Sequence, residues 1–241
     1  MPRPYDVGPM SATRLDTLDR LARETARCTR CPRLRGWCAR VAREKRAAFR
    51  DAPYWSRPVP GFGDPLARLL IVGLAPGAHG SNRTGRPFTG DASGAWLYGA
   101  LHRHGFASRP VSVARDDGLA LTDCFITAVA RCAPPGNKPT PAEIGRCRPF
   151  LVREAALLPR VRVVLALGKI AFDGWLAAAA DAGDPTPRPR PAFRHGAVHH
   201  LPGHARVVVT SYHPSRQNTQ TGTLTAPMWD AAFRTVRDLL G

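Results

Sequence analysis

Acidic residues are scarce in this 241-residue chain: 18 Asp and Glu stand against 35 Lys and Arg, leaving a formal net charge of +17. A deficit on that scale disfavours cationic partners and favours a polyanion, with nucleic acid ahead of a membrane surface. An Arg-rich, Ala-, Gly- and Pro-rich bias could by itself raise the basic count, but it does not explain the missing acids. Long apolar runs are lacking as well. No stretch approaches the roughly 20 residues of a bilayer-crossing helix. The opening MPRPYDVGPMSATRLDTLDR has no apolar centre of the kind a secretory signal carries, so the expected location is the cytoplasm. Lysine is nearly absent, with only Lys45, Lys138 and Lys169, and nothing around them reads as a Schiff-base site. Neither GxGxxG nor GxxxxGK followed by Ser or Thr occurs, which argues against a nucleotide-phosphate cradle.

Six cysteines are present: Cys28, Cys31, Cys38, Cys124, Cys132 and Cys147. In a cytosolic chain they should be thiols or metal ligands. Cys28-x2-Cys31 and Cys132-x14-Cys147 form a pair-plus-pair arrangement. On spacing alone, a four-cysteine zinc site and an iron–sulfur site are comparable readings. Cys124 opens an apolar strand and reads as a small core residue.

Short apolar strands at 68–73, 124–130, 162–167 and 206–211 alternate with helices at 93–103, from 141, 170–180 and 227–240. Thr140 with Glu143 forms a capping box, and Pro141 sits at the first helical position. One helical stretch at 13–49 precedes these elements, and a Pro- and Gly-rich connector at 51–66 joins it to them. The pattern predicts a flexible N-terminus at 1–12 and one α/β domain at 13–241. That domain should be a three-layer sandwich, a central mostly parallel four-stranded sheet with helices on both faces. In such sheets the loops leaving the strand C-termini meet in one crevice, here 74–91, 131–140 and 212–225.

Two of these loops have distinctive wording. One runs Gly73-Leu74-Ala75-Pro76-Gly77 and on through Arg86-Pro87-Phe88-Thr89-Gly90-Asp91; the other runs Ser211-Tyr212-His213-Pro214-Ser215 and on through Arg216-Gln217-Asn218. Together they resemble the uracil-DNA glycosylase superfamily, in particular its family 5, the broad-specificity branch. The resemblance covers nearly all of residues 25–240. It implies a monomeric DNA-repair enzyme acting on double-stranded DNA. The enzyme would hydrolyse the N-glycosidic bond of uracil and other deaminated bases, such as hypoxanthine, and leave an abasic site. It also implies that Cys28, Cys31, Cys132 and Cys147 hold a [4Fe–4S] cluster in place of zinc.

Such an enzyme must take its target base out of the stack and break the bond to the sugar through an oxocarbenium-like state. The resemblance makes Phe88 the stacking platform, with Ala75 and Gly77 in the base-binding loop. It makes His213 the donor to the departing base oxygen, and Asp91 the carboxylate that activates water or supports the sugar cation. Asn137 is a second candidate for orienting water or base. Asp91 and Asn137 also have plainer readings, as a helix N-cap and a turn residue. Ser215, Arg216, Gln217 and Asn218 are expected to wedge into the minor groove, and the basic run at 27–50 to meet phosphates.

Two departures from the wider superfamily matter. Leu74 and Ala75 are apolar where other branches carry a water-positioning Asp, Asn or Glu. Thr127-Ala128 stands where strict uracil readers carry Thr-Asn, and losing that amide predicts a tolerant pocket. The alternative from another class is a non-catalytic, metal-bearing DNA-binding module.

Overall fold

The computed structural model describes residues 16–241; the expected flexible segment 1–12, and residues 13–15, lie outside them. The first elements are α1 (Leu18–Ala26) and α2 (Pro32–Glu44). A single helical stretch was expected here, and the structure divides it. Thr17 caps α1 by accepting from the Arg20 backbone N–H (3.1 Å). Pro32 then occupies the first position of α2. A proline there has no N–H to continue an upstream helix and clashes with the turn before it, so the chain must restart. A 3₁₀ turn at Ala47–Phe49 follows.

The strands are β1 (Phe62–Gly63), β2 (Leu69–Gly73), β3 (Cys124–Ala128), β4 (Val163–Leu167), β5 (Val198–His199) and β6 (Val207–Ser211). The remaining helices are α3 (Ser81–Thr84), α4 (Ala92–Arg103), α5 (Pro141–Ala156), α6 (Lys169–Asp181), α7 (Arg216–Gln220) and α8 (Ala226–Leu240). The sheet runs β1-β3-β2-β4-β6-β5. Its four inner strands are parallel, as expected, but it has six strands and not four. The additional β1 and β5 are antiparallel edge strands of two residues each. Two residues carry no readable alternation, and β1 sits inside the Pro- and Gly-rich connector. Short antiparallel edges of this kind also blunt a sheet against further pairing.

Both faces of the sheet are covered, which is why its strands read as unbroken apolar runs. Leu69 and Ile71 of β2 point into one core with Leu97 and Leu101 of α4 and Trp229, Phe233 and Val236 of α8. Leu70 and Val72 point into the other with Leu151 of α5 and Phe172 and Trp175 of α6. A third, smaller cluster holds Cys31, Leu34 and Cys38 against Cys132 and Ala133, seating α2 on the loop after β3. The capping box of α5 forms as expected: Glu143 Oε2 accepts from the Thr140 N–H (2.8 Å), and Thr140 Oγ1 from the Glu143 N–H (3.2 Å). No helix among the described residues is long and apolar enough to cross a membrane.

Candidate active site

The loops after β2, β3 and β6 meet at the carboxyl end of the sheet around a cavity of about 670 Å³, a size suited to one nucleotide-scale ligand. Ala75, Gly77, Phe88, Asp91, Asn137, His213, Ser215, Arg216 and Gln217 all line it. Residues separated by more than a hundred positions are thus brought together by the parallel topology.

Phe88 and His213 stand side by side, ring centroids 5.7 Å apart with an interplanar angle of 27°. Phe88 adopts φ +51°, a left-handed conformation that non-glycine residues avoid. The surrounding network holds it there. Tyr98 Oη donates to the Pro87 carbonyl (2.9 Å). The buried Arg86 donates to Thr89 Oγ1 (3.1 Å), Ser112 Oγ (2.6 Å) and Asp117 Oδ2 (2.7 Å). Gly73, at the end of β2, makes room for the ring: a Cβ there would sit 2.9 Å from Phe88 Cζ. Strain held in place like this commonly marks a functional position.

His213 is partly buried beside Phe88 at the cleft wall, and the loss of solvation there lowers its basicity to a pKa of about 4. At neutral pH it is therefore an uncharged imidazole with one N–H. Asn218 lies behind it, its side-chain amide donating to the His213 carbonyl oxygen (2.9 Å). Ser215 through Asn218, expected to meet the minor groove, open α7: Ser215 is its N-cap and accepts from the Asn218 backbone N–H (3.3 Å). Arg216 and Gln217 are exposed at the cleft, whereas Asn218 turns inward to hold the histidine loop.

Asp91 is an N-cap and also reaches the cleft. Oδ1 accepts from the Gly94 N–H (2.9 Å) as the N-cap of α4. Oδ2 lies against Gly77 and Gly80 in the cleft; a Cβ on Gly80 would come within 1.9 Å of it. Burial raises the pKa of this carboxyl, while the Gly94 and Ser93 amides and Arg83 oppose that rise. Asn137 lies in the 3₁₀ turn Pro135–Asn137 with φ +57° and is exposed at the cleft rim. Its turn role and its access to the cleft coexist.

Sequence reasoning missed Phe49, His79 and Arg131 as cleft residues; they line the cavity together with Ala128 and with Arg46 of the basic run. The connector packs on this loop through Tyr54, whose Oη lies 2.9 Å from His79 Nδ1, and through the Trp55 and Ser56 N–H groups, which donate to the Arg83 (2.8 Å) and Asn82 (2.9 Å) carbonyls. No local pattern announces a contact between residues 25 positions apart.

Cys28, Cys31, Cys132 and Cys147 converge on a second, small cavity of about 20 Å³ ringed by Arg30, Arg35, Arg131 and Arg146. The Arg131 backbone N–H donates to Cys147 Sγ (3.2 Å), a hydrogen bond of the kind that tunes thiolate ligands. Burial pushes the Cys147 thiol up to about 11. As the side chains stand, no three His, Cys, Asp or Glu among the described residues lie at ligating spacing. Four thiols ringed by arginines nonetheless have the donor chemistry that a four-thiolate centre would use. Cys38 is buried beside them, its thiol donating to the Ala133 carbonyl (3.6 Å). Cys124 is fully buried on β3, as expected of a small core residue.

A flat ring beside an uncharged donor, under a surface depleted in acid, is suited to gripping a base drawn out of a nucleic acid, and it defines a class of base-handling enzymes. Comparison with known proteins narrows that class. A family model described as the uracil DNA glycosylase superfamily matches residues 60–237. The chain belongs to that superfamily. It is 54% identical over 214 residues to the type-5 uracil-DNA glycosylase of Thermus thermophilus, covering 89% of this chain and 94% of that protein. It is 52% identical over 215 residues to the type-5 uracil-DNA glycosylase of Mycobacterium bovis (89% and 78% covered). With that of Pyrobaculum aerophilum the identity is 46% over 198 residues (82% of each).

Proposed function

We propose that this chain is a DNA-repair glycosylase that cuts uracil, and with it other deaminated bases such as hypoxanthine, from double-stranded DNA and leaves an abasic site. The observation that carries the reading is the pairing of Phe88 with His213 in one cleft that Asp91 also lines. The extruded base stacks on Phe88. As the glycosidic bond lengthens, negative charge gathers on the base oxygen and positive charge on the sugar. His213, held neutral by burial, donates a hydrogen bond whose strength grows with the charge on that oxygen, and this favours the transition state over the ground state. The free oxygen of Asp91 faces the sugar cation or the attacking water, with Asn137 at the rim as the second polar group. One water is consumed: its oxygen bonds to C1′ of the sugar, and a proton ends on the released base. Alkaline cleavage of a uracil-containing oligonucleotide after incubation tests the reading; intact strands at excess protein would favour the non-catalytic DNA-binding module. We take the protein to act as a monomer in the cytoplasm.

Ala128 supports a tolerant pocket, because the cleft there is lined by a methyl group instead of an edge-reading amide. Ala128→Asn is expected to depress hypoxanthine release at least about tenfold more than uracil release, since a misplaced polar group discriminates steeply. Parallel assays on inosine and uracil duplexes measure this. Wild-type protein that clears uracil but leaves inosine duplex uncut would refute the tolerance.

We further propose that Cys28, Cys31, Cys132 and Cys147 hold a [4Fe–4S] cluster. Bound there, it would tie the α1–α2 turn to the loop after β3 and to α5, and supply no step of the reaction. Cys147→Ser is expected to lose iron and visible absorption and to melt at lower temperature. Stoichiometric zinc in place of iron in the wild type would overturn the assignment.

A further inference from the structure

The cleft contains a second histidine that the mechanism above does not use. His79 lies on the same loop as Ala75 and Gly77 and lines the cavity. Its Nδ1 is taken by the Tyr54 hydroxyl (2.9 Å), and Arg83 Nε donates to its backbone carbonyl (2.8 Å). Ring and backbone are therefore both fixed, and Nε2 is the nitrogen left for a ligand. In the tautomer in which the Tyr54 hydroxyl donates to Nδ1, Nε2 carries the proton and is a donor, the form that an anion at Nε2 selects. Arg46 lines the cavity too, is exposed, and its guanidinium has no hydrogen-bond or ion-pair partner among the described residues. The two groups are close enough that Arg46 contributes to lowering the basicity of His79, after the larger effect of burial and ahead of that of Arg83. Arg83 itself is occupied, donating to Gly90 O (3.2 Å) and lying over the Phe49 ring (4.1 Å).

A nucleotide that enters this cleft carries its backbone phosphates to the rim, where an anion needs donors and positive charge. We propose that His79, oriented by Tyr54, and Arg46 form the subsite that grips a phosphate flanking the extruded nucleotide. This rests on the glycosylase reading given above. Arg46 supplies the charge and His79 a neutral, directed N–H, so the two leave different signatures. Arg46 neutralises a phosphate and displaces counterions; His79 does not.

The test measures affinity for a duplex containing 2′-fluoro-2′-deoxyuridine, whose fluorine slows bond cleavage. The duplex is made with ordinary linkages and with a neutral methylphosphonate at either linkage flanking that residue. His79→Ala and Arg46→Ala are each expected to weaken binding roughly tenfold or more, as loss of a hydrogen bond to a charged group does. Tyr54→Phe should show a smaller loss. Arg46→Ala should reduce the slope of log affinity against log salt by about 0.9, and His79→Ala should leave it unchanged. At one flanking linkage the methylphosphonate should cost the wild type more than it costs either single variant, and should cost the His79→Ala, Arg46→Ala double variant nothing further. Losses that multiply at both linkages, or variants that slow single-turnover release without weakening binding, would overturn the subsite. If the wild type releases no uracil from ordinary duplex, the glycosylase reading falls and the subsite with it. Excision with independent losses sinks the subsite alone.

Discussion

Replacing His213 by alanine is expected to slow uracil release by about a hundred- to a thousandfold, the usual cost of losing one donor to a developing oxyanion. The loss should fall on the rate of the bond-breaking step more than on substrate affinity, because the hydrogen bond gains its strength only as the base oxygen becomes charged. Single-turnover kinetics on a uracil duplex separate the two. The pH behaviour follows from burial. His213 titrates at about 4 in the folded protein, below the roughly 6.5 of an unfolded histidine. Between those values the unfolded chain binds the extra proton, so this residue stabilises the fold above pH 6.5 and loses that contribution as pH falls towards 4. The thermal midpoint of His213→Ala should therefore fall less steeply across that window than that of the wild type. Activity in the wild type should show no loss on raising the pH through 6.5. Were it lost there, and the loss absent in His213→Ala, the residue would be acting as a protonated acid.

Asp91 gives the second large effect, and its two oxygens allow two roles to be separated. Asp91→Asn retains an oxygen that can accept from Gly94 but removes the negative charge beside Gly77 and Gly80. Asp91→Ala removes both. Excision by either variant is expected to fall about a hundredfold or more, in keeping with the loss of a general base or of a charge facing the sugar. Stability should differ between them: Asp91→Ala should lose about 1 kcal/mol through the missing N-cap, and Asp91→Asn very little. Burial raises the carboxyl pKa of Asp91, so the acid limb of activity should sit above the range of an ordinary aspartate and vanish in Asp91→Asn. If Asn137→Ala alone reproduced the loss and Asp91→Asn remained active, the water-positioning role would pass to Asn137.

The four inner strands and the capped helix at Pro141–Ala156 were legible because burial on both faces forces continuous apolar runs, and because a Thr-Pro start with Glu143 has one economical structural use. The edge strands Phe62–Gly63 and Val198–His199 were not, since two residues give no periodicity. Asp91 shows why site reading from sequence leaves alternatives open. Its position before Ser93 fits an N-cap, and only the packing of Gly77 and Gly80 against its second oxygen places that oxygen in the cleft. Asn218 shows the reverse case: it shares the motif with His213, yet it serves the cleft from behind by holding that residue's carbonyl.

By itself the sequence determined the layered α/β arrangement, the basic character of the surface and the two loop motifs, since composition, periodicity and local wording are properties of neighbouring residues. Only the tertiary structure decided that Phe88 lies beside His213, that the four cysteines share one cavity, and that Tyr54, His79 and Arg46 join the same cleft. Those relations depend on how parallel strands bring separate loops to one edge of the sheet. Contacts across such distances are fixed by the packing of the whole core and leave no trace in the spacing along the chain.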